Sequence, residues 1–353
     1  MREAIHISIV VACRNERAHV LAFLDSLFEQ DLDGFEWEAL IADGMSDDGT
    51  RQIVESYCER HPRLRLIPNP GRIVSTGLNA AIRAARGAII LRMDAHTRYA
   101  PGYCRRCVET LQRTQAANVG GPARTAARGA LAVAIAGAYH SFFSTGGGRF
   151  HDEDYEGWVD TVPYGCWRRE TLEQIGLFDE TLVRNQDDEL NLRLIRAGLK
   201  IWQSPQIVSW YSPRASLKGL FRQYFQYGFW KVAVIRKHRL PGSWRHLVPA
   251  AFVMGNAVLL AGALVEGLRA PVWGLNLWAM LWLSAASVYA AATLAASFAA
   301  ARHHGWATLP HLPTVFATYH FAYGLGFLAG LLTFTGQSGR GLHSARLFTR
   351  ITR

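Results

Sequence analysis

The chain has 353 residues, with 38 Lys and Arg against 28 Asp and Glu, and five cysteines. That length allows about two domains, the cysteines form no disulfide framework, and a net charge of +10 without a long Lys/Arg run or an RNA-binding aromatic signature argues against nucleic acid as a partner. The basic excess is densest in the apolar last third: from residue 247 onward one acid, Glu266, stands against Arg269, Arg302, Arg340, Arg346, Arg350 and Arg353, a balance suited to membrane lipids with anionic headgroups.

Residues 6–12, HISIVVA, read as a buried strand that breaks into Cys13-Arg14-Asn15-Glu16, with no signal-peptide core before it. Val20, Phe23, Leu24, Leu27 and Phe28 follow at helical spacing. A second strand, WEALIA, stops at Asp43-Gly44, and a third lies at 63–67. Residues 75–85 are Ala-rich and helical, with Gly87 in a position suited to a helix C-cap. The fourth strand opens the stretch AIILRMDAH, 88–96, which sets an acid and an imidazole two residues apart at a strand's carboxyl end. Residues at i and i+2 point the same way on an extended chain, and open α/β sheets bind ligands outside the carboxyl ends of their strands. This alternation predicts a parallel, doubly wound sheet. No GxGxxG follows the first strand, which argues against a dinucleotide domain.

A helix at 101–113 carries Cys104-Arg-Arg-Cys107, read as two half-buried thiols in a reducing cytoplasm rather than half of a zinc site. Residues 117–122 read as a strand. Gly146-Gly147-Gly148 and the polar residues to 160 read as a mobile loop over the site. A strand around 201–210 closes the expected catalytic domain, 1–215. Segment 216–246 interleaves Phe221, Tyr224, Phe225, Phe229 and Trp230 with Lys218, Arg222, Lys231 and Arg236, the composition of an amphipathic helix in a bilayer interface. The region 247–353 holds three apolar stretches, each long enough to cross a bilayer. Three crossings would put the Arg-rich tail on the side opposite 236–245, against the positive-inside rule, so the number of crossings stays open.

The motifs SIVVACRNE, IADGMSDDGT, NPGRIVSTGLNAAIRAARGAIILRMDAH, GCWRRETLEQIGLFDE and RNQDDELNLRL occur in this order. Together they resemble a family 2 glycosyltransferase with the GT-A nucleotide-sugar fold, and more narrowly the bacterial succinoglycan-type glucosyltransferases of exopolysaccharide assembly. The resemblance implies that Glu16 and Asp43 hold the nucleotide, Asp43 accepting from a uracil N–H. Arg72, on a loop, is a candidate for the diphosphate, with a solvated arginine as the alternative. Asp94 matches the metal-binding acid of the Asp-x-Asp motif, and His96 stands where the second acid is usual. The ion would be Mg²⁺ or Mn²⁺, an imidazole favouring Mn²⁺, unless His96 binds phosphate instead. Asp187 matches the general base, in a Gln-Asp pair where the family carries Glu-Asp. Asp188, read as a helix-start cap, and Gly165 fall on the acceptor side.

The implied activity is inverting transfer of one hexose, glucose first, from a UDP-sugar to a polyprenyl-diphosphate-linked saccharide. The place would be the cytoplasmic face of a bacterial inner membrane. A processive polysaccharide synthase is disfavoured because 222–230 lacks the Gln-x-x-Arg-Trp motif of such enzymes. A catalytically silent nucleotide-binding membrane protein is the other rival, motivated by His96 and Gln186.

Overall fold

The computed structural model describes residues 6–269 and 276–335. The chain forms two compact units, Met1–Ala126 with Gly148–Ser212 and Ala127–Gly147 with Pro213–Arg353. The first unit runs β1 (His6–Cys13), α1 (Val20–Phe28), β2 (Glu36–Asp43), α2 (Thr50–Arg60), β3 (Leu64–Pro68), α3 (Val74–Ala84), β4 (Ile89–Arg92), β5 (Thr97–Tyr99), α4 (Tyr103–Thr114) and β6 (Asn118–Gly120). Helices α5 (Ala130–His140) and α6 (Phe142–Thr145) belong to the second unit. The first then resumes with β7 (Gly157–Val159), β8 (Cys166–Arg168), α7 (Arg169–Ile175), α8 (Gln186–Arg196), β9 (Ile201–Gln203) and β10 (Ser209–Tyr211).

Its main sheet has the order β3-β2-β1-β4-β8-β6-β9-β7. Strands β3, β2, β1 and β4 are parallel, β8 is antiparallel to both β4 and β6, and β6 pairs parallel with β9. The expected GT-A-like, mostly parallel sheet is therefore present. Alternate residues of β1 feed two cores: Ile7, Ile9 and Val11 pack with α1 and α4, and Val10 packs with α3 and α8. Helices on both faces are why the strands read as continuous apolar runs rather than alternating ones. The chain winds outward from β1 through β2 to β3 and returns to β4 on the other side of β1, which makes the carboxyl ends of β1 and β4 a topological switch point.

Several local expectations change. Gly87 does not cap a helix, since α3 ends at Ala84 with Ala85 as its cap. It is a place of close approach, where a Cβ would stand 2.6 Å from the Ser8 nitrogen. The stretch 201–210 is two short strands in different sheets. Residues 148–160 are not a loose loop, because the buried Gln203 amide donates to the carbonyls of Asp152 and Tyr155 at 2.9 and 3.2 Å. Segment 127–147, expected inside a contiguous catalytic domain of residues 1–215, clusters instead with the second unit.

That second unit continues with α9 (Leu217–His238), α10 (Val248–Arg269), α11 (Leu277–His304) and α12 (Leu312–Thr335). Among the described residues, three of its helices are long and apolar enough to cross a membrane. Ala134, Ile135 and Ala138 of α5 share a core with Leu220, Ala300, Ala301, Val315 and Phe316, and Tyr319 Oη donates to the Ile135 carbonyl at 3.0 Å. The Arg-rich tail lies outside the described residues.

Candidate active site

Of the sequence-derived candidates of the first unit, Glu16, Asp43, Arg72, Asp94 and His96 sit at or beyond the carboxyl end of a strand, Gly165 just before β8, and Asp187 and Asp188 in the first turn of α8. Glu16 follows β1, and its N–H donates to Thr50 Oγ1 at 2.8 Å while its carbonyl accepts the first N–H bonds of α1. Asp43 ends β2. Its carboxylate, 2% exposed, accepts from the Ser46 N–H at 3.3 Å and faces Arg51 at 3.7 Å. The Asp43 carbonyl accepts from the Asn69 N–H at 2.9 Å. This ties the β3–α3 loop to the end of β2 and places exposed Arg72, at φ +61°, on that loop.

The centre of the arrangement is Arg92, the last residue of β4, which the sequence reading passed over. Its side chain is 5% exposed. Nε donates to Asp94 Oδ1 at 3.1 Å, Nη2 to Asp94 Oδ2 at 3.2 Å, and Nη1 makes a short bond to Asp187 Oδ1. One guanidinium thus draws together Asp94 from β4's end and Asp187 from the first turn of α8. Burial opposes the arginine's charge, but Asp187 and Asp94 outweigh it and raise its pKa further. Burial also lifts the Asp187 carboxyl above the usual aspartate range; Arg92 pulls against that shift, and Asp94 and Asp188 add to it. The signal was present in the sequence: a cation ending an apolar strand, two residues before Asp94 and so on its side of the chain.

Neighbouring groups hold this cluster in place. Tyr99 Oη accepts the Asp94 N–H at 2.7 Å, and Thr97 Oγ1 and Tyr164 Oη lie 2.7 Å apart. His96 Nδ1 stands 3.2 Å from Glu16 Oε1, which links the ends of β4 and β1 across the switch point. Gly165, at φ +108°, gives its carbonyl to the Arg92 N–H at 3.0 Å, and a Cβ there would stand 2.3 Å from the Trp167 ring. Its position next to Arg92 thus has a backbone reason.

Asp188 is not the helix cap. Asn185 holds that position at φ +61°, and Asp188 lies inside the first turn of α8 with Asp187 and Glu189. Glu189, Asn191 and Arg193 of RNQDDELNLRL tie α8 to its neighbours. Buried Glu189 pairs with Arg193, whose guanidinium also donates to the carbonyls of Ile175, Gly176 and Leu177. Asn191 accepts from the Asn118 amide at 2.9 Å. Cys104 and Cys107 are fully rather than half buried, and burial pushes both thiols up.

As a metal site, the residues fit only in part. Among the described residues no three His, Cys, Asp or Glu side chains gather to hold an ion by themselves. Asp94, with His96 and Glu16 close to each other, offers hard oxygen donors and an imidazole. Both Asp94 oxygens also accept from a cation, so an ion there needs further oxygens from a bound donor.

Over 245 residues the chain is 34% identical to the succinoglycan biosynthesis protein ExoA of Rhizobium meliloti, covering 69% of this chain and 74% of the relative. The model of glycosyl transferase family 2 matches residues 8–167, from β1 into β8 and short of Asp187. The chain belongs to that family. A dolichyl N-acetyl-α-D-glucosaminyl phosphate 3-β-D-2,3-diacetamido-2,3-dideoxy-β-D-glucuronosyltransferase of Methanococcus voltae is 29% identical over 268 residues, 73% of this chain and 83% of that one. Among solved structures, a mannosyltransferase of Pyrobaculum calidifontis in complex with GDP-Man and Mn²⁺ aligns with a TM-score of 0.57 at 21% identity, over 93% of this chain and 88% of that one. That likeness is one of fold.

Proposed function

We infer that this family 2 glycosyltransferase is an inverting enzyme that transfers one hexose, glucose first, from a UDP-sugar to a lipid-linked saccharide at the cytoplasmic face of a bacterial inner membrane. Exopolysaccharide assembly is the setting suggested by the succinoglycan relative, and a lipid-linked acceptor by the dolichyl-linked sugar phosphate in the name of the Methanococcus voltae relative; the polyprenyl diphosphate as carrier comes from the motif resemblance. The observation that carries the reading is the Arg92 bridge, which holds a donor-side carboxylate, Asp94, and a base-side carboxylate, Asp187, on one guanidinium.

Glu16 and the Arg72 loop flank the donor's nucleotide and diphosphate in this reading. Asp43, which bonds the Ser46 N–H and faces Arg51, accepts from the uracil N–H in this reading. Asp94 with His96 would hold Mg²⁺ or Mn²⁺, completed by diphosphate oxygens, and the ion would neutralise charge on the leaving group. Asp187 takes the proton of an acceptor hydroxyl as that oxygen bonds to the sugar C1. The C1–O bond to the β-phosphate breaks on the opposite face, UDP departs, and one displacement inverts the anomeric centre. Its raised pKa suits Asp187 to this work, since a base is most effective with a pKa near the working pH. Gly165 and Asp188 border the acceptor side.

Membranes supplied with UDP-glucose, Mn²⁺ and lipid-linked acceptor should release UDP and elongate the acceptor by one sugar. Asp187→Asn should lower kcat by about 10²–10⁴ with the donor KM little changed. Full activity in that variant would overturn the base assignment, and a polymeric product would overturn single-sugar transfer.

A further inference from the structure

The three long apolar helices of the second unit are covered very differently. In the most apolar stretch of each, 11% of Trp244–Leu268 and 6% of Leu277–His304 is buried, against 50% of Leu312–Phe334. Helices α10 and α11 form an antiparallel hairpin. Phe252 packs on Tyr289 with ring centroids 4.6 Å apart, Gly262 faces the Trp278 ring, and the Asn276 amide donates to the Ala263 carbonyl at 2.8 Å. Beyond the Phe252–Tyr289 contact the hairpin exposes Val258, Leu260 and Leu264 on one helix and Leu281, Leu283 and Val288 on the other. From Phe252 to Arg269, α10 has 18 residues, about 27 Å at 1.5 Å per residue, within a few ångströms of the thickness of a bilayer's hydrocarbon core.

Helix α12 is placed otherwise. It runs beside α9 in the same direction: Tyr319 meets Tyr224 at 4.3 Å, Phe334 meets Phe229 at 5.2 Å, and the Arg236 guanidinium donates to the Phe334 carbonyl. The two backbones nearly touch, since a Cβ on Gly228 would lie 2.1 Å from the Tyr323 oxygen and one on Gly326 2.1 Å from the Phe225 oxygen. Midway along, α12 meets the hairpin at its base, with Phe321 against Phe252 at 5.4 Å and Gly324 against Pro249. Its exposed large apolar side chains, Phe321, Leu325 and Leu332 with Leu331 beside them, follow one helical face.

We propose that only α10 and α11 cross the bilayer, as a hairpin, and that α12 stays with α9 at the membrane surface, its apolar stripe set into the headgroup–acyl boundary. A crossing α12 would take its companion with it, and α9 carries Arg222, Lys231, Arg236 and Lys237, groups that are costly in hydrocarbon. The hairpin also returns the chain to the side it left. Arg236, Lys237, Arg239 and Arg245 then share a side with Arg302, and the chain beyond residue 335, with Arg340, Arg346, Arg350 and Arg353, starts from that side too. The far side keeps only Arg269 and Glu266. This is the positive-inside distribution, which three crossings would break. The inference rests on the second unit alone and is independent of donor, acceptor and catalysis.

Thiol labelling of the full-length protein in its membrane tests it. Cys13, Cys104, Cys107 and Cys166 are buried, so a Cys58→Ser background is nearly silent. Single cysteines are introduced as Ser243→Cys before α10, Val272→Cys between α10 and α11, and Ser344→Cys in the tail. A membrane-impermeant maleimide is applied to intact spheroplasts and to inverted vesicles. Val272→Cys should label from one face, and Ser243→Cys and Ser344→Cys both from the other. Labelling of Ser344→Cys from the same face as Val272→Cys would show three crossings and overturn the proposal, as would labelling of all three from a single face.

Discussion

Replacing Arg92 with methionine leaves Asp94 and Asp187 without the guanidinium they share. The three side chains are 5%, 19% and 36% exposed. Removing one partner of a fully buried pair costs roughly 3–5 kcal/mol, and exposed pairs contribute only about 0–1 kcal/mol. Water already reaches part of Asp187, so the expected loss near neutral pH is about 3 kcal/mol, below the middle of the buried range. For domains of this size each kcal/mol lowers Tm by roughly 2–4 °C, which makes a drop of about 6–12 °C.

The pH dependence carries the sharper test. Burial holds the Asp187 carboxyl above its ordinary value, and Arg92 is the group pulling it back, so the methionine variant raises it further. A carboxyl with its folded pKa above its unfolded one, about 3.9, stabilises the fold fully below the unfolded value, and that contribution is lost as pH rises through the folded value. The variant should therefore lose least near about pH 4.5 and most near about pH 7.5. Thermal melts of detergent-solubilised wild type, Arg92→Met and Arg92→Lys at both values measure this, with lysine restoring part of the loss as a point charge. An equal drop at both pH values, or none, would refute the shared counter-ion.

Other outcomes follow from the same geometry. Asp94→Ala should abolish stimulation of UDP release by Mn²⁺, and His96→Ala should raise the Mn²⁺ requirement about tenfold or more; an unchanged requirement with a higher donor KM would assign His96 to phosphate. In a pH–rate profile, kcat/KM should fall as pH drops through the raised pKa of Asp187, with the acid limb above the ordinary aspartate value of about 3.9. Asp188→Asn removes one like charge and should move that limb downward. Gly165→Ala forces a Cβ to 2.3 Å from the Trp167 ring at φ +108° and should cost about 2 kcal/mol or more; an unshifted melting curve would show that the β8 entry adapts.

Much of the fold was legible because strand and helix periodicities are local. The apolar runs of β1, β2 and β4, the breaks at Glu16, Asp43 and Asp94, and the order of the motifs all follow from residues close in sequence. Where the reading went astray, the deciding partner was distant. Gly87 looked like a helix cap until the approach of β1 supplied another reason for it. Asp188 looked like a cap until Asn185 took that role. The polar stretch 148–160 looked mobile because the amide that pins it, Gln203, lies more than 40 residues downstream. Segment 127–147 looked like part of the catalytic domain because its apolar partners, Ala300, Val315 and Tyr319, come far later in the chain.

By itself the sequence determined the family, the alternating α/β unit, the acids at its strand ends and an apolar C-terminal region, since each is written in a run of residues or a motif. Only the tertiary structure decided that Arg92 joins Asp94 to Asp187, because that bond closes a separation of 95 residues through a sheet order no local pattern encodes. It likewise distinguished α12, half covered and paired with α9, from the bare hairpin of α10 and α11. Hydropathy counts apolar residues whether lipid or protein covers them, and only packing tells the two apart.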